Sequence, residues 1–251
     1  MGRRTGDETR ALLLRVGMQM LLERGVSAGV QHIRLQDVLR HAGLTTGAAY
    51  RLWADQSDYQ RDLAVAMVRL RLSGPADYAR TAVDDLITSG ASHDDVIRAA
   101  AEAHIRTAGR DMEDPADALD AQQFLISLAL RSAAQTWPEL RDASKQRHDE
   151  SIADFAEFYS YVFERYGLRM KSPLTITDFT EAMAAMGEGF AIRALEELEH
   201  PRYDVSEDDE MPAGQWSLFA LGVRALVNEF TVSIEPDDLE SATAGGSSGA
   251  E

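Results

Sequence analysis

Apolar residues recur three and four positions apart along most of the chain, the period of helices with one buried face. In TRALLLRVGMQMLLERG, Leu13, Val16, Met20 and Leu21 share such a face. Asp7 and Glu8 stand at its start and Arg24-Gly25 at its end, which suits both helix termini. After a loop, VSAGVQH, the stretch RLQDVLRHAG gives about two turns with Leu35, Val38 and Leu39 on one side and a stop at Gly43. A tight turn leads to TGAAYRLW. Then SDYQRDLAVAMVRLRL, capped by Ser57 with Asp58 in its first turn, runs to a break at Ser73-Gly74-Pro75. Further helices are predicted at 76–89, 93–109, 115–135, 138–166, 177–199 and 215–231. Pro138 suits a first turn, Gly167 a helix end and Thr177-Asp178 an N-cap. Residues 200–214, HPRYDVSEDDEMPAG, read as an acidic loop, and 234–251 as a disordered acidic tail. No alternating run is long enough to argue for a sheet, and no repeat is visible. The predicted class is all-α.

At 251 residues and 45% hydrophobic content the chain can bury a sizeable core. It has no cysteine, which removes disulfides, thiolate metal sites and cysteine nucleophiles together. No apolar run approaches the roughly 18 residues of a membrane span, and the N-terminal MGRRTGDETR leads into a charged helix, not a secretion signal. A cytoplasmic location and no membrane partner are expected. The net charge of −17 argues at first sight against nucleic acid. Its distribution changes that: residues 1–72 hold 11 Arg and 7 acidic residues, leaving 14 basic and 35 acidic residues for 73–251. The one surface suited to phosphate therefore lies in the first quarter of the chain.

Two helices of seven or eight residues are not stable alone. Joined by Ala42-Gly43-Leu44 and braced by longer helices on both sides, they form a helix-turn-helix unit. Gly43 permits the bend and Leu44 can plug the angle. The second short helix presents Thr45, Thr46, Gly47 and Ala48, hydroxyls and backbone N–H groups without bulk, which can approach a base edge or a phosphate. Tyr50 offers a phenol at phosphate height, Arg51 is the one cation of the segment, and Leu52 and Trp53 should anchor it.

From about Thr9 to Leu63 these features resemble the N-terminal domain of the TetR/AcrR family of bacterial transcriptional regulators. The resemblance is carried by Glu23-Arg24-Gly25, Ala42-Gly43-Leu44-Thr45-Thr46-Gly47, Tyr50, Trp53 and Ser57. It implies a DNA-binding domain over 1–56, a connecting helix over 57–75, and a helical ligand-binding and dimerisation domain over 76–233. It also implies binding to a double-stranded palindromic operator as a homodimer, through a four-helix bundle made by the last two long helices. A small-molecule effector, not identified by any residue pattern, would release a repressor. Three positions depart from the family pattern. His32-Ile33-Arg34 offers no obvious cap to the second helix, and Gln56 replaces a lysine at an expected phosphate contact with Asp55 as a repulsive neighbour. Ala49 stands where a larger apolar residue is common. The rival reading is a protein of this fold that binds a ligand and has lost DNA.

The last two helices mix Ala and Gly with Met183, Met186, Phe190, Trp216, Phe219 and Phe230, which suits a dimer bundle ahead of the alternative, an intramolecular core. Phe124, Trp137, Phe155, Phe158, Tyr159 and Met183 could line an apolar pocket, or fill the core. No cofactor, metal or catalytic role is expected. The six histidines do not cluster, the step Glu197-x-x-His200 occurs once where a di-metal bundle needs it twice, and no nucleotide or nucleophile motif occurs.

Overall fold

The computed structural model describes residues 4–25, 29–70, 75–108, 115–132, 134–135, 137–195 and 198–234. Arg3, Glu197 and the expected tail from residue 235 onward lie outside them. Ten α-helices and four short strands follow one another among the described residues. The chain packs as two compact units, residues 1–73 with 106–150 and residues 74–105 with 151–251. The expected domain 76–233 is therefore shared between the two.

The first unit begins with α1 (Gly6–Arg24), where Thr5 and Glu8 form a reciprocal capping box and satisfy two N-terminal amides. A 3-10 turn (Val30–His32) leads to α2 (Leu35–His41), α3 (Thr46–Ala49) and α4 (Gln56–Arg69). Leu13 and Leu21 of α1, Val38 of α2 and Tyr59, Leu63 and Met67 of α4 meet in one core. Ile126 and Leu130 of α7 (Pro115–Ser132) and Leu140 and Ala143 from the start of α8 (Pro138–Arg165) extend it. Each such aliphatic side chain stabilises the fold by about 1.5–3 kcal/mol relative to exposure. The helix α4 is capped by Asp55, whose carboxylate accepts from the Asp58 amide at 2.8 Å; Ser57, the expected cap, sits inside the first turn. Short polar side chains cluster at this terminus, and the cap falls two residues earlier than the sequence suggests.

Helices α1 and α4 approach closely at Gly17. A Cβ there would lie 2.1 Å from the Tyr59 hydroxyl and 3.1 Å from a Leu63 methyl. The wholly buried Tyr59 donates to the Leu13 carbonyl at 3.3 Å, and burial, then the Asp62 charge, raises its pKa.

The second unit holds α5 (Pro75–Thr88), α6 (His93–Ala108) up to residue 105, the rest of α8, α9 (Ile176–Leu195) and α10 (Leu218–Phe230). Phe163, Phe179, Trp216 and Phe219 centre its larger core, and Val83, Val96 and Phe158 a smaller one. Two departures from expectation occur here. The cap of α9 is Thr175, boxed with Asp178, in place of Thr177. The expected loop 200–214 and the start of the expected helix 215–231 form an antiparallel hairpin of β2 (Arg202–Val205) and β3 (Gly214–Ser217), with Tyr203 opposite Trp216. Four-residue strands give too few alternations to be seen in sequence. Val205 and Trp216 are buried, and Ser217 then caps α10 by accepting from the Ala220 amide. A second ribbon pairs β1 (Leu168–Met170) with β4 (Thr231–Ser233), so the end of α8 and the end of α10 are tied together.

Gly17→Ala should lower stability by about 1–3 kcal/mol through overpacking, although the same exchange in an open helix stabilises by about 1 kcal/mol. Adding Tyr59→Phe should restore part of the loss in a denaturant-unfolding cycle. A neutral or stabilising Gly17→Ala would mean that α1 and α4 stand farther apart.

Candidate nucleic-acid interface

The turn between α2 and α3 ends the first helix by a defined hydrogen-bond exchange. Gly43 takes a positive φ of 64° and donates to the Arg40 carbonyl at 3.2 Å, while Leu44 donates back to Leu39 at 2.9 Å. These are the paired bonds of a Schellman motif, with Leu44 half-buried as its apolar plug. The α-helical part of α3 is one turn, shorter than the segment TGAAYRLW suggests. Its backbone continues as a looser turn in which Leu52 and Trp53 both donate to the Ala49 carbonyl, at 2.8 and 3.1 Å.

Three apolar positions hold this segment. Ala49, where the family pattern commonly has a larger apolar residue, is 1% exposed and belongs to the core of the first unit. Leu52 is half-buried. Trp53 is 4% exposed, its ring edge-on to Tyr59 at 4.9 Å, and its indole N–H donates to Asp62 at 2.9 Å. Asp62 also accepts from Arg10 of α1, at 2.8 and 2.5 Å. One carboxylate thus ties α1, the end of α3 and α4 together.

The opposite side of the segment is left open. Thr45, Thr46, Gly47, Tyr50 and Arg51 are exposed and Ala48 half-exposed; Tyr50 reaches 70%. Thr45 occupies the N-cap position of α3 but its hydroxyl makes no capping bond. Nothing lies within 4 Å of a Cβ placed on Gly47, so no packing within the described residues requires glycine there.

The structure also answers how α2 is capped. Arg34 is its N-cap residue and supplies no side-chain bond. Gln56, the first residue of α4, reaches across instead: its carbonyl accepts from the Leu35 amide at 2.8 Å and its amide donates to Ile33 at 2.9 Å. Gln60 adds a bond to the Gln31 carbonyl at 3.0 Å. Gln56, taken from sequence as a phosphate contact, is exposed and engages both ends of its amide in these bonds. Asp58 is held below the usual carboxylate range by its bond from Arg61, then by the Ala54 amide.

The six expected pocket residues do not gather in one unit. Phe124 and Trp137 belong to the first, Trp137 against its core; Phe155, Phe158, Tyr159 and Met183 belong to the second. There, Phe155, Phe158 and Phe179 surround Tyr159 with ring centroids 5.9, 5.3 and 5.1 Å away. Phe158 and Met183 are buried core. No group of three metal-ligating side chains occurs among the described residues, and no described helix is long and apolar enough to cross a membrane.

No protein-family model matches this chain, and neither does any curated protein. Among solved structures, the reduced form of E. coli NemR superposes over 90% of this chain and 98% of its own, with a TM-score of 0.52 at 14% identity. A candidate TetR-family transcriptional regulator from Rhodococcus sp. is 18% identical, covering 77% of this chain and 90% of its own with a TM-score of 0.46. A third, from Vibrio parahaemolyticus and likewise a candidate TetR-family regulator, is 15% identical over 89% and 98% of the two chains, at 0.38. The fold assignment rests on the first of the three.

Gln56→Ala should remove both bonds to the start of α2 and lower the stability of the free protein by about 1–2 kcal/mol. Thermal unfolding of the variant checks this. An unchanged melting temperature would place the Gln56 amide in solvent.

Proposed function

We propose that this chain, which has the all-α fold of TetR-family transcriptional regulators, binds double-stranded operator DNA and acts as a ligand-released repressor. The observation that carries the reading is the open side of α3. It is firmly held from behind by Ala49, Leu52 and Trp53, yet its outer groups are small, polar and unused. In the major groove the Thr45 and Thr46 hydroxyls reach phosphate or base edges, and Gly47 and Ala48 let the backbone come close. Tyr50 and Arg51 reach the phosphates. Gln56 acts indirectly, by fixing the start of α2.

One such element reads too few base pairs for useful specificity. The protein therefore works as a homodimer whose two elements lie about 34–36 Å apart on a palindrome. The outward faces of α9 and α10 support a bundle between copies: Ala185, Gly189 and Ile192 on the first and Ala225 on the second are exposed, and the small residues permit close approach. A small molecule bound in the second unit releases DNA by favouring a different spacing of the two reading elements. With no cysteine, the release involves no thiol chemistry in this chain. The protein is not an enzyme, and it acts in the cytoplasm.

Fluorescence anisotropy at two salt concentrations, with DNA from upstream of the protein's own gene against random DNA of equal length, tests the reading. Preferential, salt-sensitive binding is expected. Thr46→Asp should abolish it without unfolding the protein, and Gly47→Ala should weaken it with the melting temperature unchanged or raised. Equal affinity for both DNAs, or full binding by Thr46→Asp, would overturn the assignment. A folded dimer that binds neither DNA would favour a ligand-binding protein of this fold.

A further inference from the structure

We propose that Asp62 is a positioning residue for DNA discrimination. It braces the far end of the α3 segment against α1, and so lets the open turn tell its operator from other DNA, although its own charge repels phosphate. The discrimination rests on the regulator reading; the brace itself does not.

The two ends of the segment are held differently. The near end follows the Gly43-Leu44 turn, whose backbone bonds fix where α3 begins. The far end has no helix to continue it. Beyond Ala49 the chain loosens, and the amides of Leu52 and Trp53 share one carbonyl. Tyr50 and Arg51 lie exposed in this looser part, so their placement depends on what fixes residues 52 and 53.

Apolar packing supplies part of the hold. A Cβ placed on Gly6, in the first turn of α1, would lie 3.8 Å from a Leu52 methyl, and the Trp53 ring stands edge-on to Tyr59. Such contacts are not directional, and a phenylalanine at position 53 would make most of them. The direction comes from hydrogen bonds. Asp62 Oδ2 accepts from the Trp53 indole N–H at 2.9 Å and from Arg10 Nε at 2.8 Å, while Oδ1 accepts from Arg10 Nη2 at 2.5 Å. The two-pronged arginine fixes the plane of the carboxylate, and the carboxylate fixes the indole. With its side chain only 17% exposed, Asp62 is largely withdrawn from water in holding both donors.

Charge and geometry predict opposite results here. A carboxylate in the DNA-facing unit weakens affinity for any DNA, so its removal, which also frees Arg10, should strengthen binding regardless of sequence. Loss of the brace should instead weaken binding only where base edges must be met in register.

The DNA anisotropy assay, at two salt concentrations and well below the melting temperature, tests the role. Asp62→Leu removes every acceptor and Trp53→Phe only the indole donor. Each should lower the ratio of upstream to random affinity by about tenfold, the worth of one base contact. Because both break the same bond, the double variant should lose little more than the worse single one. Random DNA should be held as tightly by Trp53→Phe as by the unaltered chain, and more tightly by Asp62→Leu. Its salt slope should not fall, whereas a lost phosphate contact would lower it by about one unit. An unchanged ratio in either variant, or equal losses on both DNAs, would overturn the role. Amide hydrogen exchange of the free protein tests the brace. Leu52 and Trp53 should exchange faster in both variants while Leu63 and Met67 of α4 stay protected. Unchanged exchange at Leu52 and Trp53 would overturn the brace, and lost protection throughout would make Asp62 a carboxylate of general stability only. An unaltered chain with no preference for upstream DNA would overturn the regulator reading and the discrimination together, while exchange still decides the brace.

Discussion

A helix of one turn has no stability of its own, and the arrangement of the first unit follows from that constraint. Every interaction that holds α3 must come from one side if the other is to stay open. Trp53 supplies most of it: its ring is buried against Tyr59, and its N–H is fixed by Asp62, which also holds Arg10. That geometry requires α1 and α4 to lie close together, and at Gly17 the approach leaves no room for a Cβ. The chain of dependence runs from a missing Cβ in α1, through a buried phenol, to the orientation of an exposed turn thirty residues later.

The features legible in the sequence were those written by local rules. Helical periodicity placed α1, α2 and α5 to α8 to within a few residues, and Gly43-Leu44 marked a helix stop that proved to be a full Schellman motif. What escaped the sequence depended on residues far apart along it. The cap of α2 comes from Gln56, twenty-one positions away, so no reading of His32-Ile33-Arg34 could find it. The β2–β3 hairpin hides in an acidic stretch because only Val205 and Trp216 of its eight residues carry a clear apolar signal. Phe124 and Trp137 are grouped in sequence with Phe155 and Tyr159 by the density of aromatic residues, while the packing divides them between the two units.

The open turn carries a local choice that is poor for the free protein and that sequence patterns do not display. Gly47 loses helix propensity and gains no internal contact for it. Arg80, Asp84 and Ser144 each bury a polar side-chain atom without a hydrogen-bond partner among the described residues. The rest of the described chain is economical by comparison, with reciprocal caps at Thr5, Ser92 and Thr175. Under the regulator reading proposed above, the departure at Gly47 is where DNA would approach.

The charge distribution gains meaning at the same resolution. The +4 excess of residues 1–72 is not spread evenly, because Arg10, Arg40 and Arg61 are paired with Asp62, Asp37 and Asp58. Arg34 at the start of α2 and Arg51 after α3 are exposed, without an acidic partner among the described residues, and they flank the open turn. Asp55, which in sequence looks like a repulsive charge beside the phosphate-facing turn, has a reason to be there: it closes the N-terminus of α4, where the helix dipole favours a carboxylate. Through that cap it steadies the helix whose Gln56 and Asp62 hold α2 and Trp53 in place.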